Sequence, residues 1–337
     1  MKTAGALFAI LIGVLVSSPG LAHHAFTAFD RNQVIDLEGE VVHMLWANPH
    51  VRFTLRVANG DGSSTDWNVE GQSLSILSRI GMDQALFAPG STIRAAGWPG
   101  RNDRPILGLT NALISGKEYV TFTRAEPFWT DDVDSNPLFV GGTASQDRSI
   151  FCVWSTDFDD PESNAGGFWA SEYPLTEFAL GSLSDYSGGG GGECEPKGMP
   201  TIMEQPYPVE FTREGDRVVL RMEEYDSVRT IHMNGEAASR AAPGSIFGHS
   251  RGEWDGETLV VMTAGVEGWP HFDKRGVPQS DAMTFVERFT PTEDGSRLDY
   301  SIVVTDPEVF TEPVTLDKHW VYRPGETVQP FDCTPGE

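Results

Sequence analysis

The chain of 337 residues carries only three cysteines, Cys152, Cys194 and Cys333. So few sulfurs exclude a disulfide-dense scaffold and permit one bridge with one thiol left over. Basic residues are scarce as well: 24 Lys and Arg stand against 49 Asp and Glu, a formal charge of -25. A surface this acidic repels phosphate backbones and anionic lipid, so nucleic acid and membrane surfaces are not expected partners, whereas cations are attracted. Beyond the first 22 residues no run is apolar enough to cross a bilayer, and no cysteine follows the first apolar run to carry a lipid anchor.

What is present begins with a leader. Lys2 precedes an uncharged apolar core, Ala4 to Val16, and then Ser-Ser-Pro-Gly-Leu-Ala ends at Ala22. The core is too short to span a bilayer, and Gly20 and Ala22 are small enough for a cleavage pocket. Residues 1–22 are therefore expected to be a secretory signal peptide, cut after Ala22, with the mature protein soluble in a periplasm or secreted. Losing Lys2 takes the charge from -25 to -26. The remaining length exceeds what one core usually holds, so two domains are expected.

In chain order, Val34 to Met44 reads as a strand and Ala47-Asn48-Pro49-His50 turns it around. Val51, Phe53, Leu55 and Val57 alternate with polar residues in a second strand, and Asn59-Gly60-Asp61-Gly62 turns into a third at Asp66 to Glu70. Ser73 opens a helical stretch that Gly81 ends. Strands at Thr92 to Trp98 and Ile106 to Ile114 complete three strands, a helix and two strands, the order of an OB-like five-stranded barrel over 23–115.

The pattern of His23-His24-Ala25-Phe26, Trp46-Ala47-Asn48-Pro49-His50, the Trp67 to Gly71 strand and Pro89-Gly90 resembles a bacterial secreted domain-of-unknown-function family, number 6152. The resemblance implies export and a small β-rich fold, and it brings no activity with it.

Residues 116–205 read as a connecting segment packed on the domains, rich in aromatics and interrupted by the run Gly188 to Gly192. From Tyr207 onward about eight strands follow one another, several joined by hairpin turns such as Asp255-Gly256. This favours a lipocalin-like antiparallel β-barrel over 206–324, ahead of a tail at 325–337. The stretches Arg229 to Met233, Gly248 to Gly252 and Trp254-Asp255-Gly256 resemble a C-terminal region common in uncharacterised exported bacterial proteins. The fold class expected is mainly β. Cys194 and Cys333, just outside the two ends of the second barrel, are the favoured disulfide pair.

Two constellations carry chemistry. Cleavage after Ala22 would make His23 the first residue. Its amine and ring Nδ1 then chelate together, and His50, after a rigid Pro49, supplies a third nitrogen; His24 or His43 can add a fourth. Nitrogen-rich tetragonal sites favour Cu(II), so copper is the expected cofactor, held by His23, His24 and His50. The competing account is a loose chain start, with His50 packed beside Trp46. Secondly, strand alternation places Thr230 with His232 and His249 with Arg251. If these faces turn inward they line, with Glu287, a polar pocket for a small organic ligand, in a binding protein or an enzyme. If they turn outward they are cross-strand surface pairs. Gly248-His249-Ser250-Arg251-Gly252 has the spacing of a nucleophile elbow but lies between strands, which that elbow does not. The aromatic connection offers a third class, a module that presents itself to a protein partner.

Overall fold

The computed structural model describes residues 28–122, 125–130, 143–145, 149–158, 160, 168–183, 194–234, 245–273 and 275–334. The expected signal peptide at 1–22, His23, His24 and the run Gly188 to Gly192 lie outside them.

The first barrel follows the alternation read from the sequence. Strands β1 (Ile35–Leu45), β2 (Arg52–Ala58) and β3 (Ser64–Glu70) form an antiparallel meander. Helix α1 (Leu74–Arg79) follows; Ser73 caps it by accepting the Ile76 amide. Gly81 then takes φ +79°, the left-handed turn that lets the chain leave the helix. Strands β4 (Thr92–Pro99) and β5 (Ile106–Ile114) complete the wall, and β6 (Lys117–Val120) adds a short hairpin to β5. The sheet order is β3-β2-β1-β4-β5-β6, and β3 also pairs with β5. Val41, Phe53, Leu55, Val69, Phe87 and Leu109 fill the interior. At the β4–β5 bulge a side chain on Gly97 would meet the Gly108 carbonyl at 2.0 Å, so this crossing requires glycine.

Nine strands close the second barrel: β7 (Val153–Thr156), β8 (Val209–Glu214), β9 (Arg217–Met222), β10 (Ser227–His232), β11 (His249–Asp255), β12 (Thr258–Ala264), β13 (Thr284–Pro291), β14 (Arg297–Thr305) and β15 (Val314–Tyr322). Strand β7 comes from the stretch read as a connection and lies between β15 and β8. Its four residues are too few to carry a periodic signal, but Trp154 is fully buried and anchors them. Short helix α2 (Glu177–Gly181) belongs to the same stretch.

Both barrels contain one parallel pair, β3 with β5 and β10 with β11, where an all-antiparallel ring was expected of the second. The cause is arithmetic. Strand direction cannot alternate around a closed ring with an odd number of staves, and the rings have five and nine. Parallel neighbours need a long crossover, which residues 233–248 supply between β10 and β11.

Aromatic side chains pack against one another inside the second barrel. Phe211 and Phe289 meet at 5.1 Å between ring centroids, Phe289 and Tyr300 at 4.8 Å, and Tyr300 and Trp320 at 5.2 Å. Amid these rings sits a buried ion pair. Arg229 Nη1 donates to Glu287 Oε1 at 2.9 Å, and Nη2 donates to the second carboxylate oxygen. Arg229 also donates to the hydroxyls of Ser250 (2.9 Å) and Thr263 (2.6 Å), and the Tyr300 hydroxyl donates to Glu287 at 2.9 Å.

A seam joins the barrels. From α1, Arg79 makes two bonds to the fully buried Glu223, at 3.0 and 2.6 Å, and one to Glu326 at 2.7 Å. The C-terminal tail runs through this seam, and Cys333 is bonded to Cys194. Cys152 takes no part in that bridge. No helix among the described residues is long and apolar enough to cross a membrane.

Breaking the interior pair with Glu287→Ala strands a buried guanidinium and is expected to cost about 3–5 kcal/mol in urea unfolding, whereas Arg229→Met with Glu287→Leu recovers most of it. Equal stability of Glu287→Ala and wild type would show that the pair contributes nothing.

Candidate functional site

Between β1 and β2 the turn Trp46-Ala47-Asn48-Pro49-His50 is anchored by a buried asparagine. Asn48 Oδ1 accepts the Leu74 amide at 2.9 Å, its Nδ2 donates to the Phe331 carbonyl, and its own carbonyl accepts the Thr334 amide at 3.0 Å. The Asn48–Pro49 peptide is cis. Two residues on, half-buried His50 places Nδ1 3.2 Å from the Gly71 carbonyl. A carbonyl only accepts, so Nδ1 carries the proton and the basic lone pair lies on Nε2. That is the tautomer a metal-binding imidazole adopts when a backbone carbonyl orients its other nitrogen. Gly71 is held in turn, because its amide donates to the Val51 carbonyl at 2.8 Å.

The described chain enters close to this corner. Phe29 bridges to Gly100 and its ring lies over Gly108; Gly108 pairs with Glu70, the neighbour of Gly71. His23 lies six positions before Phe29 in the sequence. The Trp46 ring packs on Phe87, 5.9 Å between centroids, and His43 stands exposed on β1. Among the described residues no group of three or more His, Cys, Asp or Glu side chains is arranged to hold a metal ion.

The second constellation is divided by the barrel wall. Thr230 with His232, and His249 with Arg251, do share faces, and His232 lies directly opposite Arg251 across the parallel pair. Those faces point outward: His232 is exposed, the other three are half-buried, and the neighbours Arg229, Ile231 and Ser250 are buried. Glu287 alone of the five faces the interior, bound to Arg229. The inward pocket therefore does not form from the predicted set. Phase is the signal that identifies the inner face of β10, since Arg229 shares it with Ile231 and Met233. Gly252 points the same way: a side chain there would meet Ile231 and Met233, each at 2.7 Å.

A polar groove of about 470 Å³ does lie on this barrel, over the outer face of β13, β14 and β15. Several of its charges are paired. Arg297 bonds Asp299 at 2.8 Å, Arg288 bonds Asp255 at 2.8 Å, and His319 Nε2 lies 3.1 Å from Asp157. Behind it, on the inner side, Lys318 is buried with its ammonium 4.5 Å from the Trp320 ring centroid and donating to the Met203 carbonyl at 3.1 Å. Burial pushes the Lys318 amine down to about 8, and the charge of Glu204 opposes that shift.

Residues 12–108 match a family model described as a family of unknown function, DUF6152. The match takes in the end of the first apolar run, both histidines at 23 and 24, and His50. No curated protein matches the chain.

Because the Lys318 amine releases its proton more readily in the folded than in the unfolded chain, its penalty on folding is full below about pH 8 and is relieved as the pH rises toward 10.5. Lys318→Met is expected to stabilise the protein on the order of 2 kcal/mol at pH 7, net of the lost bond to Met203. Thermal unfolding at pH 7 and pH 10 checks this: the advantage should shrink at the higher pH, and a pH-independent difference contradicts it.

Proposed function

We propose that the protein is an exported copper-binding protein whose site is formed by the amino terminus and the β1–β2 turn. With the leader cut after Ala22, the His23 amine and Nδ1 bind Cu(II) as one chelate and His50 Nε2 binds as the third nitrogen, with His24 beside them. The observation that carries the reading is the bond from His50 Nδ1 to the Gly71 carbonyl, which presents Nε2 as the basic nitrogen on a rigid wall. Two further considerations support it. A chain of net charge -25 attracts cations. The disulfide is compatible with an oxidising compartment. Binding is proton-coupled, because the amine and both imidazoles must be neutral to ligate.

The test compares Cu(II) affinity of protein beginning at His23 with the same protein acetylated on the His23 amine, and with His50→Ala. Acetylation should abolish the chelate ring and weaken binding by a factor of about 100 or more, on the order of 3 kcal/mol, and His50→Ala should weaken it by about 10-fold or more. Equal affinity for the acetylated and the free chain removes the proposal.

A further inference from the structure

We infer that the outer face of β9, β10 and β11 is a binding site for a single phosphate group, formed by Arg217, His232, His249 and Arg251. The inference is independent of the copper reading. Its basis is the register of three neighbouring strands. His232 lies opposite Arg217 in the antiparallel pair β9–β10 and opposite Arg251 in the parallel pair β10–β11. Strands lie about 4.8 Å apart, so two guanidiniums flank one imidazole in a row that spans about 10 Å. His249, two residues before Arg251, shares its face, and Thr230, two residues before His232, adds a hydroxyl. Arg217 and His232 are exposed, and the other three are half-buried. The row is thus open to solvent and is carried by paired strands rather than by a loop.

Among the described residues none of these five side chains has a hydrogen-bond or ion-pair partner. Elsewhere on the surface Arg56, Arg94, Arg288 and Arg297 each reach an aspartate. Here two carboxylates share the face, Glu214 opposite Arg217 and Glu253 two residues past Arg251, and neither forms an ion pair among the described residues. The deficit is sharpest at Arg251, whose Nε is buried and meets no acceptor. A guanidinium taken from water without an acceptor is destabilising, and like charges along one row add to that. The fold makes no use of these charges, because all five side chains point away from the barrel interior. An oxyanion supplies what the row lacks. Each guanidinium presents a planar fork of N–H donors that matches two phosphate oxygens, and an imidazole N–H or the threonine hydroxyl donates to a third. A carboxylate has only two oxygens to share among the same donors. The charge of -25 repels an extended polyanion, but fields fade over about 8 Å at physiological ionic strength, so a single phosphate responds to the local row. Beyond Arg251 the row continues onto half-buried Met262 and exposed Val286, an apolar shelf suited to the carbon skeleton of a phosphate monoester.

The site is tested by isothermal titration of the full chain with inorganic phosphate, phenyl phosphate and acetate, at a constant ionic strength of about 0.15 M. Both phosphates should bind the wild type saturably. Arg251→Gln and, separately, Arg217→Gln should each weaken that binding by about tenfold or more, the effect of losing a charge-assisted hydrogen bond. Arg221→Gln is the control for bulk charge: it removes a cation from the same face at the far end of β9, opposite Val228, and should change nothing. Absence of saturable phosphate binding overturns the inference. So does equal weakening by Arg221→Gln and Arg251→Gln, or acetate bound as tightly as phosphate. Tighter binding of phenyl phosphate than of inorganic phosphate sustains the site and identifies an organic phosphate lying along Met262 and Val286; equal affinity sustains it for free phosphate.

Discussion

The contact between Arg79 and Glu223 is the constraint on which the arrangement of the two barrels depends. Glu223 has no solvent to fall back on, so its charge is supported entirely by the guanidinium and by the Gln329 amide. Burying a carboxylate is tolerable only with such pairing, and removing either partner leaves an uncompensated charge. The residues after Glu223 continue the same work: Glu224 bonds Lys197 at 2.5 Å, Tyr225 packs on Phe331, and Asp226 takes the Phe331 amide. Tyr225 and Asp226 both adopt positive φ, 53° and 51°, a conformation rare outside glycine that the surrounding contacts sustain. One short turn therefore gathers α1, the tail and the second barrel.

The same principle, a buried charge held by a complete set of partners, recurs inside the second barrel. Arg229 and Glu287 lie among aromatic rings, and hydroxyls from Ser250, Thr263 and Tyr300 take up the remaining bonding directions. A network of this kind contributes less to stability than to uniqueness, since a shift of one residue in any of these strands would move its member to the outer face. It also places in the barrel interior side chains that need one another.

Chemistry is thereby directed to the edges of the molecule. The wall of the second barrel separates His232 and His249 from its interior, and the outer groove carries the ion pairs Arg297–Asp299 and Arg288–Asp255. At the seam the balance differs. The His50 turn is rigid because Asn48 joins it to α1 and to the tail, and the imidazole is oriented by a carbonyl that belongs to the sheet itself.

Much of this was legible in the residues. Alternation placed the five staves of the first barrel and eight of the second, because one-sided burial writes a two-residue period. Ser73 and Gly81 bounded α1, and the position of the cysteines at the ends of a barrel pointed to their pairing. Strand β7 was not legible: four residues carry no period, and only its place between β15 and β8 makes them a strand. The direction of the faces was also undecided, since alternation says which residues go together and not which side is inside. For Arg229 the answer depended on a partner 58 residues away. The grip of the tail on Asn48 joins residues 283 apart, Asn48 and Phe331. Local pattern thus determined the staves, and tertiary closure decided the sides, the parallel seams and the surroundings of His50, because those depend on contacts between segments that no local period encodes.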